Sequence, residues 1–223
     1  MKRHVFAIVG LIFVVPAAAD GPKPKIKDPD LRAELLRRMK ADQDARGAIV
    51  EWMKQNARGN LSSEAAIMAS LDATQRAELK RLGELCHRVD EENTRRLGQI
   101  VERQGWPTFS LVGKDGAKAA WILVQHADHD PKFQRKCLEL MKKEPHDQIF
   151  RDDLAYLTDR VLLAEGKKQV YGTQFDLVDG KCRPRPLEDP ANVDRRRKDV
   201  GLSPLAEYLR DAERAYTGAP SGK

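Results

Sequence analysis

The chain has 223 residues, of which 41% are hydrophobic and 33% charged, with 40 Lys plus Arg against 34 Asp plus Glu and a formal net charge of +6. That composition excludes a wholly disordered chain, and a modest basic excess with both signs interspersed gives no ground for a nucleic-acid partner. The three cysteines, Cys86, Cys137 and Cys182, contain no CxxC pair, which argues against a cysteine-built zinc centre or a thioredoxin-like motif; at most one internal bridge can form, and whether two of them pair stays open.

The first residues, Met1-Lys2-Arg3-His4, are basic, residues 5–15 are apolar, and Ala17-Ala18-Ala19 offers the small side chains of a cleavage site. Residues 1–19 therefore read as a signal peptide cut after Ala19, with the mature protein secreted or periplasmic. The apolar run is short for a membrane span, so no stable membrane insertion is expected after cleavage. Residues 20–29 form a Pro- and Lys-rich linker, and residues 30–216 a single, mostly helical domain.

Asp28-Pro29-Asp30 supplies capping residues and an N-terminal proline for a first helix over about 31–55. At 100° per residue, Leu31, Leu35, Met39, Ile49 and Met53 fall on one stripe, and Asp42 and Arg46 fall inside it. A short helical piece is expected near 63–71, then a long helix over about 73–104 with the stripe Leu79, Leu82, Cys86, Val89, Leu97 and Ile100. Here Asp90 and Asn93 stand where apolar residues would pack more cheaply. Two successive helices break their pattern in the same way: either Arg46 and Asp90 meet in a buried structural bridge, or these residues line a polar pocket.

Gly105-Trp106-Pro107 ends the long helix, residues 113–116 read as a loop, and residues 117–127 as a helix apolar almost all round, which must be buried. It closes on Gln125-His126-Ala127-Asp128. Asp130-Pro131 caps the next helix, which turns Phe133, Cys137, Leu140 and Met141 inward. A helix over about 147–165 carries Phe150, Leu154, Leu157, Val161 and Ala164, with Asp153 and Arg160 beside them. Residues 169–178 have strand character, Asp179-Gly180 suits a two-residue hairpin turn, and residues 181–187 would return. Asp189-Pro190 and Ser203-Pro204 each start a short helix, Gly201 stops the first, and residues 217–223 read as a disordered tail. The basic run Arg195-Arg196-Arg197-Lys198 reads as a solvated helix face. The fold class is mainly α: a multi-helix, orthogonal or bundle-like single domain with one β-hairpin.

Five ordered blocks, Gly105-Trp106-Pro107-Thr108, Ala120-Trp121 through Gln125-His126-Ala127-Asp128, Leu154-Ala155-Tyr156-Leu157-Thr158-Asp159-Arg160-Val161, Tyr171-Gly172-Thr173-Gln174 and Glu188-Asp189-Pro190, resemble a bacterial family known as domain of unknown function 6624. The resemblance runs over about 31–209. It implies no activity, since the family has none assigned; its members often lack a signal peptide, so export here would be a relocation of the domain.

His126 and Asp128 are the catalytic candidates: imidazole titrates near neutrality, and a carboxylate such as Asp128 or Asp159 would orient it. The alternative is a core histidine that bonds helix ends. Asp42, Arg46, Asp90, Asn93, Arg160, Tyr171 and Gln174 are the ligand-binding candidates, with Gly172 marking a close approach of a helix or a ligand to the backbone. His126 and His129 lie three apart beside Asp128 and Asp130, but the Asp130-Pro131 cap breaks helical geometry there, so neither a metal nor another cofactor is expected. HExxH, EF-hand, P-loop and GxSxG motifs do not occur. The sequence thus points to a binding or structural module with a buried polar pocket around His126 and a small polar ligand, the alternative being a hydrolase or lyase that uses His126 as general acid/base with carboxylate and arginine partners. Ligand identity and oligomeric state do not follow from it.

Overall fold

The computed structural model describes residues 26–56, 68–178 and 180–217. The signal peptide, most of the linker, the start of the 63–71 piece, Asp179 of the hairpin turn and residues 218–223 of the tail lie outside the described residues. The fold is mainly α with one antiparallel hairpin: α1 (Pro29–Asn56), α2 (Ala73–Gln104), α3 (Phe109–Gln125), α4 (Pro131–Met141), α5 (Arg151–Ala164), β1 (Phe175–Val178), β2 (Lys181–Pro184), α6 (Val193–Asp199) and α7 (Leu205–Thr217), with a 3-10 turn at Pro190–Asn192. The chain divides into two compact units, the first holding α1 to α4 and the second α5 to α7 with the hairpin.

The first unit is organised by α3. Ala119, Ala120, Trp121, Ile122, Leu123 and Val124 are all buried, as an all-round apolar helix requires, and α1 and α2 pack against it and against each other. The pairs Glu34–Arg96, Arg38–Asn93 and Arg46–Asp90 run in opposite directions along the chain, so α1 and α2 lie antiparallel. Asp72 caps α2 in a reciprocal capping box with Gln75, and Asp130 caps α4 by accepting from the Phe133 N–H. Residues 113–116 are not a loop. Gly113, at φ +74°, kinks a helix that has already begun at Phe109, and a Cβ there would meet Ile26 and Asp115 at 3.1 Å. Arg32 of α1 bonds Asp115 beside the kink.

In the second unit the strands are shorter than alternation suggested. Phe175 to Val178 pair with Pro184 to Lys181, and Gln169 reaches Leu187 as an isolated bridge. The segment between is a loop wrapped around one carboxylate. Asp159 of α5, fully buried, accepts from the N–H groups of Val170, Tyr171 and Thr173 and from the Thr173 hydroxyl. The buried Gln169 amide bonds the Gln174 and Arg185 carbonyls and the Gln174 N–H, so these polar groups replace a ladder. Gly172 sits at φ +69°, and an added Cβ would lie 2.9 Å from Leu205 Cδ1, so the element that approaches this backbone is the start of α7.

The basic run of α6 is not simply a solvated face. Arg197 is fully buried: it lies over the Tyr208 ring and donates to the Tyr171 and Ser203 carbonyls, while Arg196 donates to those of Val170 and Asp189.

Candidate functional site

Asp42 and Arg46 stand one turn apart on the inward face of α1, Asp90 on the facing side of α2, and His126 at the C-terminal end of α3. These four side chains form one network. Arg46 Nη1 donates to Asp42 Oδ1 at 2.7 Å, and Nη2 donates to the two Asp90 oxygens at 3.0 and 3.1 Å. His126 Nδ1 sits 2.8 and 2.9 Å from the two Asp42 oxygens, and Gln43 Nε2 donates to Asp42 Oδ2 at 2.8 Å. Side-chain exposure is graded: Asp42 is 0% exposed, Arg46 5%, His126 9% and Asp90 13%.

An ionised carboxylate only accepts hydrogen bonds, so Nδ1 carries the ring proton toward Asp42 and, in the neutral ring, Nε2 keeps the basic lone pair. Burial opposes ionisation of Asp42, but the His126 bond, the charges of His126 and Arg46 and the Gln43 amide outweigh it and hold the group below the usual carboxylate range. Asp90 behaves oppositely. Burial pushes it up to about 7 against the pull of Arg46, and the negative charges of Asp42 and Asp128 add to the rise. Two carboxylates bound to one guanidinium thus hold their protons very differently, which separates an anion from a proton-exchanging acid near neutral pH.

Among the described residues, Asp42, Asp90 and His126 each offer a possible metal-ligand atom within 4.8 Å of the others. Arg46 already bridges the two carboxylates at bonding distance and supplies the positive charge between them. Among the described residues, the buried Arg46 Nε–H and Asn93 Nδ2 meet no acceptor, although Asn93 Oδ1 accepts from Arg38 at 3.3 Å.

Of the residues singled out from sequence, Asp42, Arg46, Asp90 and His126 come together, and Asn93 lies one turn from Asp90 on α2. The carboxylate on His126 Nδ1 is Asp42, one that the sequence did not single out for that place. Asp128 is exposed and accepts from Gln134 Nε2, which also donates to the Val124 and Gln125 carbonyls at the end of α3. Arg160, Tyr171 and Gln174 belong to the second unit. There the Tyr171 backbone is bound by Asp159 and Arg197, and the Gln174 amide donates to the Thr173 hydroxyl. Sequence reasoning missed Gln43 and the loop-holding roles of Asp159 and Arg197, the last two because a buried charge bonded to loop backbone has no periodicity to betray it.

No curated protein and no solved structure matches the chain. The sequence profile of a family of unknown function (DUF6624) matches residues 81–219, which include Asp90 and His126 but leave α1, with Asp42 and Arg46, outside the match. The chain belongs to that family of unknown function.

Proposed function

We propose that the first unit is a binding module for a small polar ligand, which His126 and Asp90 contact at the accessible edge of a preorganised network that Asp42 and Arg46 hold from beneath. The observation that carries this reading is the seating of His126 Nδ1 on both oxygens of a fully buried Asp42, itself neutralised by Arg46. A ring fixed in this way has one tautomer and one direction, and ordering it on binding requires little further entropy. The protein is exported through residues 1–19, with cleavage after Ala19, and works in the periplasm or outside the cell without nucleic acid and without stable membrane insertion. Among the described residues, no helix is long and apolar enough to cross a membrane.

The test is a thermal-shift screen of polar metabolites on the full chain and on His126→Gln. A ligand for this site raises the wild-type melting temperature in proportion to the logarithm of its concentration and loses that effect in the variant. A screen without any such ligand, or a shift that survives His126→Gln, overturns the reading. Amino-terminal sequencing of protein recovered from the periplasm or medium tests export: a start at Asp20 is expected.

A second reading shares the site. The Asp42–His126 pair is also the geometry of an oriented general base, so a hydrolase or lyase using His126 for proton transfer, with Arg46 and Asp90 beside it, is the alternative. Turnover of a chromogenic ester, phosphoester or glycoside that His126→Gln abolishes would favour it over binding alone.

A further inference from the structure

Asp42, Asp90 and His126 converge from three different helices, and their ligand atoms lie within 4.8 Å of one another. We propose that these three side chains bind a divalent transition metal ion of the zinc class, which completes the polar site of the first unit. The proposal rests on the reading of this network as the ligand site and names the ion that a polar ligand would meet there.

The donor set and its spacing support this. Zinc takes carboxylate oxygen and imidazole nitrogen at about 2.0 to 2.2 Å, so neighbouring donors on one tetrahedral ion stand about 3.3 to 3.5 Å apart. His126 Nδ1, at 2.8 and 2.9 Å from the two Asp42 oxygens, is already that close. Asp90 is the member that closes in, by about 1 Å, and it is the least buried of the network and bonded to Arg46 Nη2. Three protein ligands leave a fourth position for water or for an oxygen of the ligand, as in an open zinc site.

Charge and hydrogen bonding point the same way. Two carboxylates share one guanidinium, so one negative charge is uncompensated when both are ionised. Arg46 does not use up the site, because an ionised carboxylate has about four lone-pair directions. Arg46 Nη1 and Gln43 Nε2 each take one on Asp42, and Nη2 approaches Asp90, so both groups keep lone pairs for an ion. From those places Arg46 and Gln43 orient the carboxylates as hydrogen-bond donors orient metal-bound ones. Among the described residues the buried Arg46 Nε–H and Asn93 Nδ2 meet no acceptor, so the protein groups alone leave the network incomplete. Coordination has a balanced proton change: Nδ1 gives its proton to solvent as it takes the ion, Nε2 takes one from solvent, and the neutral ring changes tautomer.

The experiment is titration of the full chain, stripped with EDTA and dialysed, with zinc chloride against a chromophoric chelator. Long-range proton–nitrogen NMR spectra follow the histidines, and the signals absent from His126→Gln identify His126. Wild type is expected to take up one zinc per chain and to move His126 from the Nδ1–H to the Nε2–H tautomer. Asp90→Asn and His126→Gln are each expected to weaken zinc binding at least tenfold with an unchanged circular dichroism spectrum, and His87→Gln to leave it unchanged. If a variant of the trio does not fold, the wild-type tautomer change decides the question. Absence of stoichiometric uptake, wild-type affinity in both variants of the trio, equal loss in His87→Gln, or zinc uptake without the tautomer change overturns the proposal. The ion and the site fail separately: a metabolite-induced thermal shift that persists in EDTA and vanishes in His126→Gln keeps the site and overturns the ion, whereas failure of the site itself leaves neither zinc nor metabolite bound.

Discussion

Replacing Asp90 with Asn separates the charge of this residue from its shape. In the folded chain burial pushes Asp90 up to about 7, whereas the unperturbed group has a value of 3.8. A carboxyl group whose folded value is raised favours the protonated fold, so its contribution is fully present below about pH 4 and is lost as pH rises through about 7. The difference of roughly 3 units, at about 1.4 kcal/mol per unit, sets a ceiling near ~4 kcal/mol over that whole range. Only part of it falls between pH 5 and 8, and the 13% exposure of the side chain admits some solvent screening, which brings the expectation to ~2 kcal/mol. Asn keeps an oxygen for Arg46 Nη2 and never ionises; whatever the amide loses beside the guanidinium is the same at every pH. Asp42, held below the usual range, contributes stability that disappears only in stronger acid, so it leaves this window undisturbed. Urea unfolding at pH 5, 6, 7 and 8, followed by the fluorescence of the buried Trp106 and Trp121, gives both curves. The stability of Asp90→Asn relative to wild type is expected to rise by about 2 kcal/mol from pH 5 to pH 8. A difference that is flat or falls over the same range would refute the assignment of a raised proton affinity to Asp90.

Three further outcomes follow from the same contacts. Arg46→Ala leaves a fully buried Asp42 and a nearly buried Asp90 with their common cation removed, and is expected to cost about 3 to 5 kcal/mol in urea unfolding at pH 8; a loss below about 1 kcal/mol would mean that the bridge does not hold the helices together. Gly172→Ala forces a side chain onto a φ of +69° and within 2.9 Å of Leu205, and should destabilise by about 2 kcal/mol, read as a drop in melting temperature. Cys86, Cys137 and Cys182 are free and buried, and burial pushes their thiols up to about 11, 12 and 11; a thiol-specific chromogenic reagent at pH 8 should label none of the three in the native protein and all three in urea, a smaller urea count revealing a disulfide.

The helices were legible because their signals are local. The cap at Asp130 and the stops at Gly105 and Gly201 come from backbone groups a few residues away, and the stripes of α1 and α2 repeat with the helical period. The same period exposed the network: Asp42, Arg46 and Asp90 stood out as charges on apolar faces, and a buried charge must find a partner. Which partner it finds was not legible, because Asp42 and His126 are 84 residues apart and their meeting depends on how α1 lies on α3. The kink at Gly113 escaped for a related reason: a helix that breaks and resumes has the residue pattern of a loop followed by a helix. Residues 169–174 alternate like a strand, yet they are held by the Asp159 carboxylate and the Gln169 amide, tertiary partners that alternation cannot reveal.

A network such as this one is a costly means of fixing helix register. Taking four ionisable groups out of water loses several kcal/mol of hydration for each charge, and apolar side chains of similar volume in α1, α2 and α3 would pack without that loss. The layout also does more than neutralise charge. A purely architectural cluster is served best by pairing each carboxylate once and sealing the group, but here Arg46 is divided between two carboxylates, Asp42 carries three donors, and Asp90 is left a weak acid at the accessible edge beside His126. Asp42 and Arg46 lie deepest, and His126 and Asp90, at 9% and 13% exposure, are the members nearest solvent. The proposed binding of a polar ligand gives such a layout a use that helix packing alone does not: an imidazole and a weak acid held near each other by three helices.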